Sequence, residues 1–232
     1  MKTSVFDQQH LPTLSVEEGY TAYAATYDEV KAEGLMDYPL LERIQTVVWE
    51  QLEAVADLAC GTGRIGAWLR AHGVHLLDGV DLTEAMLDQA RAKGIYRNLS
   101  LADLRQTPLS AHSYDLVSVG LADDHLPELL PLYQEAARLV RPRGYLVLLG
   151  YHPFFQLSGF PATFEQRPGV LVAIEGYVHL LSEHVQAASR CGWQLCELYK
   201  RLIDEEWIAR RPRAAPHKGW PVSFACLWQH QP

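Results

Sequence analysis

The sequence predicts an α/β fold: a doubly wound, mostly parallel sheet with a C-terminal antiparallel strand pair and a helical and loop cap. Three observations predict it. Between residues 54 and 151, strand-like apolar runs alternate with helix-length segments. The first of those runs ends directly in a glycine-rich turn, Cys60-Gly61-Thr62-Gly63. After Tyr151 the alternation stops, and two long strand-like runs follow, Trp193 to Ile203 and Val222 to Gln229. Strands separated by helices of ~10–15 residues imply right-handed crossovers that cover both faces of a parallel sheet.

Each element has a local cause. Ser15-Val16-Glu17-Glu18 reads as a capping box and opens a helix expected to run to about Lys31, before Gly34. A second helix is expected from Pro39 to Glu50, its proline in the first turn where a missing N–H costs nothing. Ala54 to Ala59 is the first strand, and Ile65 to Ala71 is a helix closed by Gly73. His75 to Val80 is the next strand, after which Thr83 caps a helix that stops at Gly94. Leu99-Ser100-Leu101 leads to Asp103, and Tyr114 to Val119 is a further strand. A helix from Pro127 to Val140, a turn at Arg141-Pro142-Arg143-Gly144 and a fifth strand from Tyr145 to Tyr151 complete the alternation. Residues 152–180, rich in aromatics, proline and glycine, read as a lid or insertion, with a helix from Ser182 to Arg190 beyond it. The expected organisation is a single domain over 1–232. Residues 1–50 form an N-terminal helical cap, 51–151 the binding core, 152–185 the lid, and 186–232 the last helix and strand pair.

Composition narrows the function. The chain has 232 residues, 48% of them apolar, enough for a sizeable core. Its formal net charge of −8 is wrong for a phosphate-backbone partner, which needs a clustered positive field. The one basic run, Arg210-Arg211-Pro212-Arg213, reads as a solvated loop, so no nucleic acid is expected. No stretch approaches the ~18 apolar residues of a membrane span, and Met1 to Asp7 lack the apolar core of a signal peptide. Cys60, Cys191, Cys196 and Cys226 show neither paired clusters nor CxxC spacing. His179 and His184 are five apart rather than four, so they read as structural and no metal site is expected. These features suit a cytoplasmic protein.

Gly61-Thr62-Gly63-Arg64-Ile65-Gly66 matches GxGxxG between a strand and a helix, a signal shared by several adenosine ligands. In an open parallel sheet the ligand sits at the carboxyl ends of the strands, so acids there carry information. Asp57 precedes the glycines by four residues. Asp81 ends the second strand, where a carboxylate can take both ribose hydroxyls. Asp103 ends the third, in reach of an adenine amino group.

These residues resemble the class I S-adenosylmethionine-dependent methyltransferases. Asp57-Leu58-Ala59-Cys60-Gly61-Thr62-Gly63 is similar to that family's first motif, and Val80-Asp81-Leu82-Thr83-Glu84-Ala85-Met86-Leu87 to its second. Ala102-Asp103-Leu104, Tyr114-Asp115-Leu116-Val117 and Leu139 to Leu146 resemble the third, fourth and fifth, in order and correctly spaced. Tyr23-Ala24-Ala25-Thr26-Tyr27-Asp28 resembles the "YD" segment of many small-molecule members. One departure is Ala59, where many members carry a glycine. The resemblance implies a Rossmann-like seven-stranded sheet, S-adenosylmethionine as cofactor and S-adenosylhomocysteine as product. It implies a cofactor loop of Asp57, Ala59, Cys60, Gly61, Thr62 and Gly63. Around the nucleoside it places Asp81, Leu82, Met86, Ala102, Asp103 and Leu104, with Tyr27 above and Gly120 and Leu121 as a further wall. A nicotinamide dinucleotide explains less, since it requires neither Asp57 nor Asp103 nor a terminal strand pair.

Methyl transfer from a sulfonium is an in-line displacement that depends on positioning, and a base is needed only where the acceptor must lose a proton. The chain lacks the Asn/Asp-Pro-Pro-aromatic motif of many amino-group methylases and any Pro-Cys pair, which favours a small-molecule acceptor. His125 is the first base candidate, with a helix-start residue bonded to a carboxylate as its alternative reading. His152, just beyond the fifth strand, and Tyr177, in the lid, are the other catalytic candidates. Tyr20, Tyr23 and Tyr27 share one helical face; for Tyr20 and Tyr23 a core stripe is the stronger reading. Phe154, Phe155, Phe160, Phe164 and Tyr177 wall an acceptor pocket or pack the lid. Two rivals stand beside methyl transfer. One is an intramolecular displacement on the same cofactor that releases methylthioadenosine, and the other a non-catalytic module that binds a partner protein. The sequence assigns no oligomeric state.

Overall fold

The computed structural model describes residues 1–31 and 34–231, and among them ten strands form two sheets. The larger sheet contains β2 (Ala54–Leu58), β3 (Leu76–Asp81), β4 (Asn98–Leu101), β5 (Tyr114–Gly120), β6 (Val140–Tyr151), β9 (Trp193–Leu202) and β10 (Pro221–His230). Their order is β4-β3-β2-β5-β6-β10-β9. The first five are parallel; β10 runs antiparallel to both β6 and β9. This is the doubly wound, Rossmann-like, seven-stranded architecture with its terminal antiparallel pair. The strand order reverses at β2 and β5, and their carboxyl ends diverge there to leave a crevice. Among the described residues no helix is long and apolar enough to cross a membrane.

Helices α3 (Arg64–Ala71), α4 (Glu84–Lys93), α5 (Leu130–Leu139) and α7 (Leu181–Arg190) lie in the crossovers and connections. Two cores result, one on each face. Leu69, Leu77, Leu116 and Val147 centre one, and Leu58, Tyr133, Phe224 and Trp228 the other. Strand β2 is buried at all five positions, as a central parallel strand requires.

The smaller sheet explains the lid. Strands β7 (Thr163–Arg167) and β8 (Val170–Ile174) form an antiparallel hairpin, and β1 (Thr13–Leu14) adds in parallel to β8. Thr3 N–H donates to the Gly176 carbonyl at 2.9 Å, so the N-terminal segment and residues 163–178 are one structure. Helix α1 (Val16–Lys31) packs on it through Tyr23, which stacks on Phe164 at 4.6 Å beside Val172 and Ile174. The Ser15–Glu18 capping box forms as the sequence predicts, each residue's side chain accepting from the other's backbone N–H.

Three element boundaries differ from expectation for identifiable reasons. The helix expected over Pro39 to Glu50 is only one turn, α2 (Tyr38–Leu41). Ile44, Thr46, Val47 and Val48 are β-branched, and the backbone N–H groups of Gln45 and Thr46 donate to the distant Glu197 carboxylate at 3.1 and 2.7 Å. The helix expected from Pro127 begins at Leu130, because the Asp124 and Leu126 carbonyls accept from Tyr177 N–H and His179 Nε2 of the lid. Arg141 to Gly144 is a bulge inside β6, with Arg143 at φ 66°, rather than a turn before it. The lid adds α6 (Pro153–Leu157), and the β9–β10 connection carries α8 (Glu205–Arg210) and a 3₁₀ turn over Pro212–His217.

Across the middle of the large sheet runs a layer in which Asp57 sits between Gly79 of β3 and Ser118 of β5. Asp57 accepts from Ser118 Oγ at 2.7 Å and from Tyr96 Oη at 2.6 Å. The Tyr96 ring reaches it over α3, through space that only glycine leaves open. A Cβ on Gly66 would lie 2.1 Å from Tyr96 Oη, and one on Gly79 3.0 Å from the same ring. Gly66→Ala therefore displaces Tyr96 from a buried carboxylate. We expect a loss of about 2 kcal/mol, net of the helix-propensity gain, read as a fall of roughly 4–8 °C in melting temperature. A variant that melts with the wild type shows that Tyr96 has a second position of equal energy.

Candidate functional site

At the carboxyl ends of β2 to β5, under α1, lies a cleft of about 870 Å³, partly open to solvent. Its wall includes Tyr27, Ala59, Gly61, Asp81, Leu82, Met86, Ala102, Asp103, Leu104, Gly120, Leu121 and His125, so twelve residues singled out in the sequence converge here. A narrower recess continues from it past Asp57, Cys60 and Thr62 to Asp37 and Arg64. Gly63 lies behind both, as the N-cap of α3 at φ 85°.

The loop after β2 is shaped for close approach by a ligand. Gly61 is left-handed at φ 55°, and a Cβ added there would meet nothing within 4 Å. That empty volume faces the cleft, so glycine leaves space for another molecule rather than for protein. Ala59 and Leu121, on opposite walls, also hold positive φ, at 53° and 56°. Non-glycine residues pay about 1–3 kcal/mol for such conformations, which concentrate at ligand clamps. The loop is pinned from above: Thr62 Oγ1 donates to Asp28 of α1 at 2.5 Å, and Lys93 of α4 bridges Asp28 and the Thr62 carbonyl at 2.6 and 2.7 Å.

The three acids have different environments. Asp81 is 8% exposed and accepts from Gly61 N–H at 2.8 Å and from Thr83 N–H and Oγ1, both at 2.9 Å. A carboxylate offers about four acceptor sites; the Leu82 backbone N–H is a further donor to this one, which also borders the cleft. The Thr83 hydroxyl serves Asp81 rather than capping α4. Burial raises the Asp81 pKa above the ordinary range, opposed by these donors. Burial pushes Asp57 up to about 6 despite the Tyr96 and Ser118 hydroxyls and the Gly66 N–H. Asp103 is gripped by Arg105, whose Nε lies 2.9 and 3.1 Å from its two oxygens, and that bond holds its carboxyl below the usual range. Spacing had no means of finding Arg105 as the neighbour that competes for this acid.

The catalytic candidates separate. His125 lines the cleft; its Nδ1 is 2.7 Å from the Glu175 carbonyl and its Nε2 2.8 Å from Tyr20 Oη. A carbonyl only accepts, so Nδ1 carries a proton, and Nε2 faces the Tyr20 hydroxyl. Tyr20 lines the cleft and also packs against the core cluster in which Tyr23 is buried. Burial lifts the Tyr20 hydroxyl well above its ordinary pKa. His152 does not border the cleft. Its Nδ1 accepts from Phe154 N–H and caps α6, because the lid turns into a helix there. Tyr177 is also elsewhere: its hydroxyl donates to Glu175 at 3.3 Å, with Lys2 over its ring. His179 and His184 hold the Leu126 carbonyl and the Tyr133 hydroxyl, as structural histidines do.

Comparison with known proteins agrees with this geometry. Residues 56–148 match the family described as "Methyltransferase domain". Human methyltransferase-like protein 27 is 44% identical over 77 residues, covering 32% of this chain and 31% of that protein. The malonyl-[acyl-carrier protein] O-methyltransferase of Salmonella typhimurium is 34% identical over 94 residues, covering 40% and 37%. The chain thus spans about a third of the length of these curated relatives. Among solved structures, an S-adenosylmethionine-dependent methyltransferase from Mesorhizobium loti superposes with a TM-score of 0.67 at 22% identity, over 85% of this chain and 99% of that one.

The raised Asp57 pKa has a measurable consequence. The folded protein keeps a proton that the unfolded chain has released, so stability falls as pH rises from about 4 to about 6. The drop assignable to this group is about 3 kcal/mol. In denaturant titrations from about pH 4 to about pH 7.5, the stability of Asp57→Asn relative to wild type should rise by that amount and then level off. A pH-independent difference would mean that Asp57 is ionised throughout.

Proposed function

Residues 56–148 match the methyltransferase-domain family, and on that premise we propose that the chain is a class I S-adenosylmethionine-dependent methyltransferase that transfers a methyl group to a small-molecule acceptor. The observation that carries the cofactor assignment is the charge of the cleft. Among the described residues its wall has the carboxylates Asp81 and Asp103 and a single guanidinium, Arg105, which is bonded to Asp103. Such a wall favours a cationic ligand and disfavours a pyrophosphate. The residues present fit: Asp81 is a carboxylate on the cleft wall where a ribose hydroxyl would sit, and Gly61 leaves its Cβ volume to the ligand. When bound, the cofactor supplies an electrophilic methyl on a sulfonium whose departure leaves a neutral thioether.

The protein's part is then to orient, exclude water and move a proton. Met86, Leu104 and Leu121 wall the cleft with apolar surface. Tyr27 and Tyr20 reach down from α1, which rests on the small sheet through Tyr23. For an acceptor that must lose a proton, Tyr20 Oη is the contact group and His125 the base behind it. As the acceptor's proton passes to Tyr20 Oη, the Tyr20 proton passes to His125 Nε2, and the Glu175 carbonyl steadies the imidazolium through Nδ1–H. This reading keeps His125 among the catalytic candidates and drops His152 and Tyr177, which do not border the cleft. It also keeps the expectation of a cytoplasmic enzyme.

Two experiments test the proposal. Calorimetric titration with S-adenosylmethionine should give saturable binding that Asp81→Ala weakens at least about tenfold, the worth of a charge-assisted hydrogen bond. Absence of binding to the wild type sends the chain to the partner-binding alternative. With an acceptor in hand, Tyr20→Phe and His125→Gln should each lower kcat by about 100-fold with little change in cofactor affinity. Loss confined to KM would make both residues binding groups. Product analysis separates the chemistries, since methylthioadenosine without acceptor marks the intramolecular displacement and S-adenosylhomocysteine marks methyl transfer.

A further inference from the structure

Beyond the cleft and its recess lies a third space, a cavity of about 1030 Å³ open to solvent. Chain segments far apart in sequence build it: residues 34–37 before α2, Phe155 and Phe160 of the lid, and Ile203 and Trp207 after β9. The cleft shares Tyr27, Ala59, Gly61, Gly120 and Leu121 with the recess, so these residues frame the opening between the two. The recess shares Asp37, Arg64 and Leu121 with the third space. Cleft and third space share Leu121 alone among the described residues. One side chain therefore borders all three.

Leu121 is also held in a backbone conformation that leucine rarely adopts. Its φ of 56° is left-handed, its side chain is buried, and its N–H donates to the Leu149 carbonyl of β6 at 2.7 Å. A left-handed leucine crowds its own backbone, and such strain persists only where the surroundings over-determine it, commonly at ligand clamps. Gly120, immediately before it, cannot be enlarged, since a Cβ there would lie 2.9 Å from Ile65 Cγ1. The bulk at this corner thus comes from Leu121, on a backbone that suits glycine better.

A sulfonium carries three substituents, and three spaces surround this residue. On the cofactor assignment above, on which the inference rests, the nucleoside occupies the cleft beside Asp81. The amino-acid arm has the recess, where Asp57 and the Asp37–Arg64 pair offer both signs of charge to a zwitterion. The sulfur is then at the opening between cleft and recess. Its third substituent is left with the remaining direction, toward Leu121 and the third space.

We propose that Leu121 is a specificity-determining residue of this site. Its side chain is the partition between the sulfur and the third space, and it restricts the group carried on the sulfur to the size of a methyl. Close packing makes such a partition selective, because a ring added to a filled space forces side chains out of their rotamers. Removing the Leu121 side chain beyond Cβ joins the sulfur position to the third space, which then accommodates a larger group.

The test uses the whole protein, calorimetry and two stable probes. Both are S-adenosylmethionine analogues with a tertiary amine in place of the sulfonium, one carrying N-methyl and the other N-benzyl. The wild type should bind the N-methyl probe at least about tenfold more tightly than the N-benzyl probe. In Leu121→Ala that ratio should fall below about two, because the side chain that excludes the ring is gone. Met86→Ala, at a position that borders the cleft but not the third space, should keep the wild-type ratio. Where the alanine variant at 121 does not fold, Leu121→Gly, matched to the left-handed backbone, carries the same expectation. Equal binding of the two probes by the wild type overturns the inference without reference to any variant. So does a ratio that survives removal of the Leu121 side chain, or one that Met86→Ala relaxes as far. Failure of the wild type to bind S-adenosylhomocysteine is a different result: it defeats the cofactor assignment, and this inference with it.

Discussion

A carboxylate buried in the middle of a parallel sheet has to be met by donors, and the demand of Asp57 for them organises the centre of this molecule. Ser118 comes from the strand on one side, Tyr96 from beyond the strand on the other, and the Gly66 N–H from the helix that follows. Tyr96 can arrive only because Gly63, Gly66 and Gly79 leave room for its ring. The arrangement fixes the start of α3 relative to β2, and so fixes the loop between them. Everything in the cleft is measured from that loop: Gly61 N–H reaches Asp81, and Thr62 reaches Asp28 of α1. A residue without an acceptor oxygen at position 57 would leave these donors unmet, so a costly buried acid secures the geometry of its neighbours.

Much of this was legible in the sequence, and the division between what was and was not follows contact range. The alternation of strands and helices, the glycine turn, the capping box at Ser15 and the acids at strand ends all arise from neighbours within a few residues. Their periodicity or spacing is enough. The failures share another cause. The segment after Leu41 stays extended because Glu197 takes its N–H groups, and nothing near residue 45 signals that. Tyr20 and Tyr23 have the same helical face and chemistry and pack on the same core cluster; that Tyr20 also reaches the cleft wall, beside His125, is set by the fold. His152 lies beyond a strand end, where a base is plausible, but the lid's first turn uses its nitrogen as a cap. Arg105, two residues from Asp103, was close enough to suspect, but a two-residue spacing does not disclose a bidentate grip.

The cleft and its cap are mechanically one object. Helix α1 contributes Tyr20 and Tyr27 to the wall, carries the Asp28 that holds the glycine loop, and rests by Tyr23 on the small sheet. His125 is fastened at Nδ1 to Glu175, just past the end of β8. A shift of the small sheet therefore moves the roof, the proposed base and the loop tether together. Leu121, strained in the left-handed region, borders both the cleft and the neighbouring cavity.

The pairing of Thr3 with Gly176 and of β1 with β8 also carries a kinetic meaning. Those partners are separated by well over half the chain, with the whole parallel sheet up to β6 between them. Contacts of such long range are entropically expensive and form late, so the parallel core can assemble while the roof is still open. A growing chain would pass through a stage with the glycine loop formed and its cover missing. The apolar face of α1, Tyr23 included, would stay exposed at that stage. Any factor that delays the synthesis of residues 163–178 would prolong it, and a ligand that fills the cleft early would shield part of what is bare.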